Sequence, residues 1–498
     1  MSTAPPADSR AIRLSLLFGL EVVVLHLVNI PHGLSFDWAF DDRGANLTIQ
    51  YLLSLGYIPG LDFGYPYGLL PLAAGRVWFA LFGLTPFACW IAFLVCELLT
   101  AVGIARFSAA LQLGWSGIVV IFAALPVAVQ PCYPNLAHAL EAALIANALA
   151  EQAAGRLPRA LALATAAIFS KPAMGYFYGL LIVLLLLHNW WRRRPGARLA
   201  HLTRMLLPAA VAALSLSTVL ARMYGISPLL HQFLPTTGMR LYRASHFGLF
   251  AAGKTLLHPP GATYSYYLGS IAGFYMAGTL YLFWAGLASL RRLLSNDREQ
   301  MIFTCALLQL MFIAVLFGNS DSWFYYSYVL VMGIAATSVW RRWSIYPVCA
   351  LALLAIAWEV PYFGDRYRSW KERSTSRETA GLFSSTEERR EWARVRKLIR
   401  ENQFSRPAAL LGVQGCGEIL FPEFAKPVSA YLFPGEASAG DIQRKQAQVA
   451  AADFLVAPRS RDSLIDLHWH LDARCIPSGA FFITCLKEVK GPQSKPER

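Results

Sequence analysis

Apolar runs of helical length recur through the first three quarters of the chain, separated by proline, glycine or short basic clusters. They fall at 12–31, 86–111, 116–131, 136–152, 159–170, 176–191, 202–224, 264–290, 301–317, 323–340 and 345–363. Runs of this length without a polar face predict membrane-spanning helices, although several are shorter than the ~20 residues a straight crossing needs. A further apolar stretch at 69–83 carries Arg76. From Asp365 the pattern changes: charged residues become frequent and the apolar runs shrink to five to seven residues. There, 386–402 and 441–451 read as helices, and 408–413, 453–457 and 480–486 read as strands. The pattern therefore predicts a mainly α polytopic bundle over 1–364, with its first external loop at 32–85. A small α/β domain follows over 365–498.

Charge orients the bundle. Arg192 to Arg194, Arg291 with Arg292, and Arg341 with Arg342 each sit beside an apolar run, and Arg156 and Arg159 flank another. Positive residues beside spans favour the cytoplasm. If 69–83 crossed the bilayer, the Arg192 cluster would fall outside; if it lies on or dips into the outer surface, every cluster becomes cytoplasmic. Eleven spans follow, with the amino terminus inside. The segment 37–67, Lys171, the loop 225–263 and everything after Asp365 then lie on the outer face.

Composition agrees with this. Of 498 residues 56% are hydrophobic and 15% charged, the range of a multi-pass membrane protein rather than a soluble enzyme. The formal charge of +14 could suggest nucleic acid. Its clustering beside apolar runs argues against such a partner and for membrane lipids. No small-residue cleavage site follows the first run, so it reads as a retained helix rather than a secretory signal. Its Glu21 and His26 are read as polar groups satisfied by neighbouring helices. Cys89, Cys96, Cys132, Cys305 and Cys349 read as packing residues, whereas Cys475 and Cys485 would meet an oxidising exterior as a candidate disulfide. No spacing resembles a zinc site.

Candidate chemistry collects in one stretch, DWAFDDRGANLTIQYLLSLGYIPGLDFGYPYGLLP, from Asp37 to Pro71. Three carboxylates open it, an amphipathic helical run over 44–55 follows, and Asp62 precedes a Tyr-Pro-Tyr turn ending at Tyr67. By themselves Asp41 and Asp42 suit either a proton acceptor or a cap on the following helix. Lys171 sits in FSKPAM, where Pro172 breaks a short span. It is placed either to meet an anion or to snorkel to the interface. Arg240 and Arg243, three apart in GMRLYRASHFG, suit a two-pronged anion site. His138 and Glu141 share one helical face.

An acidic pair, a helix ending at Gly56 and the run Pro-x-x-Asp-Phe-x-Tyr-Pro ending at Pro66 together resemble the first external loop of GT-C membrane glycosyltransferases. These include the protein mannosyltransferase and aminoarabinose transferase types. The resemblance implies an inverting enzyme that moves a sugar from a polyprenyl phosphate to a lipid, glycan or protein acceptor. The active site and the carboxy-terminal domain would lie on the outer face of a bacterial-type inner membrane. It implies a leading Asp as base, which counting back from Gly56 puts at Asp42, with Arg43 where an acidic residue is common. Asp41 is the alternative. It also implies a second acidic site near His138 and Glu141. The family's metal-binding motif is not reproduced there, so neither metal nor cofactor is expected. A flippase of lipid-linked saccharides is the rival reading, but no repeat-related halves are visible. An inactive relative acting as a binding module is the third.

Overall fold

The computed structural model describes residues 7–36, 42–63, 65, 67–129, 135–191, 198–233, 262–290, 296–315, 327–340, 344–401, 409–410, 416–421, 454–458, 473–477 and 482–487. Helices dominate it: α1 Ala7–Val28, α2 Asp42–Ser54, α3 Leu70–Phe82, α4 Pro86–Ala110, α5 Trp115–Val129, α6 Leu136–Ala153, α7 Leu157–Ser170 and α8 Pro172–Trp191. They continue with α9 Arg198–Tyr224, α10 Ile226–Phe233, α11 Ala262–Ser289, α12 Asp297–Val315, α13 Ser327–Thr337, α14 Ile345–Glu372 and α15 Thr386–Glu401. Each of the eleven apolar runs overlaps one of these helices over its described residues. The apolar stretch at 69–83 becomes α3, whose 13 residues measure about 20 Å, short of a ~30 Å hydrocarbon core.

Two compact units partition the chain. The first comprises Met1–Asn29, Pro66–Gly83 and Trp90–Tyr367. Its centre is built from helices that are apolar on all sides. Every residue of α13 is buried, as are most of α5, and Ala-rich α6 buries all but a few of its residues. Small residues bring these helices close: a Cβ on Gly103 of α4 would stand 2.8 Å from the Ala146 carbonyl carbon in α6. The rim is different. Leu207, Val211, Leu214 and Val219 of α9 and Leu16, Leu20 and Leu27 of α1 are exposed apolar side chains. Among the described residues, five helices are long and apolar enough to cross a membrane (Ser9–Val28, Pro86–Ala110, Met174–Trp191, Leu202–Tyr224 and Ile345–Glu372), so this surface is suited to lipid. The protein is an integral membrane protein.

Polar pins hold the apolar helices in register. His26 Nδ1 lies 3.0 Å from Glu97 Oε2, and its Nε2–H donates to Trp90 O at 3.0 Å, tying α1 to α4. Glu151 of α6 pairs with Arg106 of α4 and, at 2.7 Å, with Arg156. Gln152 accepts from Tyr178 at 2.8 Å and donates to Thr304 at 3.1 Å. Unsatisfied in an apolar bundle, each of these groups would cost about 1–3 kcal/mol.

The second unit comprises Ile30–Tyr65, Leu84–Cys89 and Arg368–Arg498. Much of the first loop is thus grouped with the tail, and α14 runs through the expected boundary at 364 before β1 (Arg373–Thr375) begins. Phe383 N–H donates to Leu34 O at 2.8 Å, and Phe36 stacks edge-on against Trp392 and Phe421. β1 pairs antiparallel with β2, Phe383–Ser385. Helix α15 starts on a reciprocal cap: Ser385 N–H donates to Glu388 Oε2 at 2.6 Å, while Glu388 N–H donates to Ser385 Oγ at 3.1 Å. A four-stranded sheet has the order β3-β4-β6-β5, from Ala409–Leu410, Phe454–Pro458, Phe482–Lys487 and Ala473–Pro477. Strands β3, β4 and β6 overlap the predicted strand runs. Strands β1, β2 and β5 were not anticipated, because three to five residues without alternation carry no period-two signal. Pairing of β5 with β6 sets Cys475 opposite Cys485. The helix expected at 441–451 lies outside the described residues.

Candidate functional site

Lys171 owes its position to Pro172. The proline disfavours helical geometry in the residue before it, so α7 stops at Ser170 and Lys171 takes extended backbone angles (φ −147°, ψ 111°). α8 then restarts with Pro172 at its first position. This break turns the lysine inward, onto the first turn of α6. There Asn135 caps the helix, accepting from Ala137 N–H at 2.9 Å, and His138 follows one residue later.

Lys171 Nζ lies 3.0 Å from His138 Nδ1. An ammonium has only donors, so His138 accepts on Nδ1 and carries its own proton on Nε2. The two side chains are 7% and 2% exposed, and Glu141, one turn further along α6, is fully buried. Burial lowers the Lys171 pKa to about 8, and the Glu141 carboxylate opposes that shift. Tyr67 packs its ring edge-on against His138, with centroids 5.2 Å apart. The N-termini of α6 and α8 both lie beside this pair, and their backbone N–H dipoles favour an anion there.

The segment Tyr67 to Leu69 lies across the end of α7. Gly68 N–H donates to Ser170 O at 2.8 Å, and a Cβ on Gly68 would stand 2.0 Å from Phe169 O. Only glycine allows the segment to sit so close. Leu69 N–H donates to Gln232 Oε1 at 2.7 Å, and Ser170 Oγ donates to Ala137 O at 2.9 Å. Phe233, the next residue after Gln232, stacks edge-on with Phe169. Four chain segments, remote in sequence, therefore meet around Lys171.

Four predicted residues thus come together within the first unit: Tyr67, His138, Glu141 and Lys171. Asp62 belongs to the second unit, where its Oδ2 accepts from Ile58 N–H at 2.7 Å and closes a turn. Asp42 is the first residue of α2, while Asp41, Arg240 and Arg243 lie outside the described residues. Arg43, expected at a position where an acidic residue is common, donates to His32 O at 2.9 Å and to Ser35 Oγ at 3.3 Å. It fastens the start of α2 to the preceding turn. Gly68 and Gln232 were not anticipated; nothing local marks Gln232, whose contact with Leu69 spans 163 positions. Among the described residues, no group of three or more His, Cys, Asp or Glu is placed to hold a metal ion.

No family model matches the chain, and no curated protein does. Two solved structures match it. One is ArnT from Cupriavidus metallidurans bound to undecaprenyl phosphate, at 14% identity and a TM-score of 0.49, covering 95% of this chain and 99% of that one. The other is the same protein in its apo state, at equal identity and coverage with a TM-score of 0.38. At 14% identity the chain is similar to ArnT without inheriting its substrates.

Proposed function

We propose that this chain is a membrane glycosyltransferase that moves a sugar from a polyprenyl-phosphate donor to an acceptor at the non-cytoplasmic face, with inversion at the anomeric carbon. The observation that carries the proposal is the buried Lys171–His138 pair. It sets a cation and a fixed imidazole tautomer beside the first turns of α6 and α8, a setting that suits an anionic oxygen. In this reading the acceptor hydroxyl attacks the anomeric carbon from the face opposite the phosphate. Its proton passes to Asp42 or Asp41, a general-base contribution of roughly 10²- to 10⁴-fold. The bond from the anomeric carbon to the phosphate oxygen breaks with its electron pair. Polyprenyl phosphate leaves, its charge met by Lys171 and by Arg240 and Arg243. Reaction of this kind needs no redox step, and the products are the glycosylated acceptor and the lipid phosphate.

Undecaprenyl phosphate, the lipid held in one ArnT structure, is the probe for the test. A charge-assisted hydrogen bond contributes about 1.5 to 3 kcal/mol, so Lys171→Met should weaken its binding to the purified full-length protein roughly ten- to a hundredfold. Arg240→Gln and Arg243→Gln in the same titration report on the neighbouring cations. A lysine that only packs its stem at the interface predicts unchanged affinity for Lys171→Met, and that result removes Lys171 from the donor site.

A further inference from the structure

Gln232 is 8% exposed, and its two amide atoms are treated unequally. Oε1 accepts the Leu69 N–H at 2.7 Å. Nε2 is buried and, among the described residues, has no hydrogen-bond partner. The assignment of the two atoms is not arbitrary: Leu69 N–H needs an acceptor, and only the amide oxygen supplies one, so Nε2 with its two hydrogens faces the other way. Leaving such a donor buried and unmet is unfavourable, because it loses its bonds to water and gains none. A bound oxygen atom would remove that cost.

The surroundings say which oxygen. Gln232 is bonded to Leu69, and the adjacent Gly68 is bonded to Ser170, the residue before Lys171. Phe233 packs on Phe169 from the same end. Through the Tyr67–Leu69 segment, Gln232 is therefore tied to the junction where α7 ends and α8 begins, the junction that also carries Lys171. A neutral two-proton donor at the same junction as a cation is suited to an oxyanion with several acceptor oxygens, because it adds a hydrogen bond without adding repulsion between like charges.

We propose that Gln232 is a ligand for the phosphate of the lipid carrier: Oε1 locks the amide to the Leu69 backbone, and Nε2 donates to a phosphate oxygen alongside Lys171. This rests on the phosphate site proposed above and adds to it a residue that sequence pattern does not reveal. It also assigns the Tyr67–Leu69 segment a task, since that segment holds the amide in its bonding orientation. The same chemistry would serve free phosphate, so the two sources are separated by the probe.

Gln232→Glu tests the proposal. The carboxylate keeps an acceptor for Leu69 N–H, removes both donor hydrogens and adds a negative charge. Undecaprenyl phosphate affinity of the purified full-length protein should fall tenfold or more, with the melting temperature and the gel-filtration profile retained. An amide remote from the bound phosphate predicts unchanged affinity, and that outcome overturns the proposal. Lys171→Met is run beside it. Weakening by Lys171→Met alone overturns the role of Gln232 and leaves the donor site standing; no effect of either variant overturns both. Inorganic phosphate that displaces undecaprenyl phosphate at comparable concentration would overturn the lipid carrier as the occupant. A structure of the unaltered chain with undecaprenyl phosphate bound reads the contact directly and does not depend on how a variant folds. Nε2 should lie about 2.7–3.2 Å from a phosphate oxygen, and a separation beyond hydrogen-bond reach would refute the assignment.

Discussion

Gly68→Ala would place a methyl carbon 2.0 Å from the Phe169 carbonyl oxygen and 2.4 Å from its carbonyl carbon. Both are backbone atoms at the end of α7, so neither can turn aside as the tip of a flexible side chain can. The Tyr67–Leu69 segment must instead retreat by roughly 1 Å, a displacement that close-packed interiors do not absorb freely. Such overpacking typically costs about 1–3 kcal/mol of stability. Retreat also stretches the 2.8 Å bond from Gly68 N–H to Ser170 O and draws Leu69 away from Gln232. One charge-assisted contact to the lipid phosphate is then lost, about 1.5–3 kcal/mol, or roughly ten- to a hundredfold in affinity. Titration of the purified variant with undecaprenyl phosphate, beside a thermal melt, measures both effects. Gly179→Ala is the control: nothing lies within 4 Å of its Cβ, and alanine is the better helix former by about 1 kcal/mol. If Gly68→Ala melts and binds like the unaltered protein, the close approach is not what builds the site.

Asp42→Asn and Asp41→Asn should leave undecaprenyl phosphate binding intact while lowering transfer by 10²-fold or more at whichever position is the base; near-normal rates in both and in the double variant would move the base elsewhere, with Asp62 next to be tested. Burial holds the Lys171 pKa near 8, so its ammonium is present below that value and lost above it. Lipid-phosphate affinity should accordingly decline above pH 8, and Lys171→Met should abolish that decline. The sign for folding is opposite: a lysine whose folded pKa is lowered binds fewer protons than in the unfolded chain, so the lipid-free protein gains stability as pH rises from about 8 towards the ordinary lysine range near 10. A topology of eleven crossings with the amino terminus inside predicts Ser374 outside and Gly196 inside; in a cysteine-free background, an impermeant thiol reagent should then label Ser374→Cys in intact cells and Gly196→Cys only after lysis, and the reverse pattern would overturn that topology.

Helix positions were legible in the chain because the signal for them is local. The run at 86–111 becomes Pro86–Ala110 and that at 136–152 becomes Leu136–Ala153, since an apolar stretch bounded by proline or glycine has no lower-energy alternative in lipid than to bond its own backbone. The same locality made Lys171 visible: a lone cation before a helix-breaking proline marks a span's end. It made His138 and Glu141 visible as neighbours on one helical face. What the sequence did not contain is how these pieces meet. The approach of Gly68 to Phe169, the hold of Gln232 on Leu69 across 163 positions, and the bond from Phe383 to Leu34 that joins the first loop to the tail have no periodic or compositional trace. Each depends on a close contact between surfaces that are apolar or neutral in sequence, and such contacts are selected by shape once the bundle has packed. Local hydrophobicity therefore determined that this chain is a helical membrane protein and which residues stand at its helix ends. Tertiary packing alone decided which of those ends converge, and so where a buried cation meets an imidazole and how Gln232 is tied to the same junction.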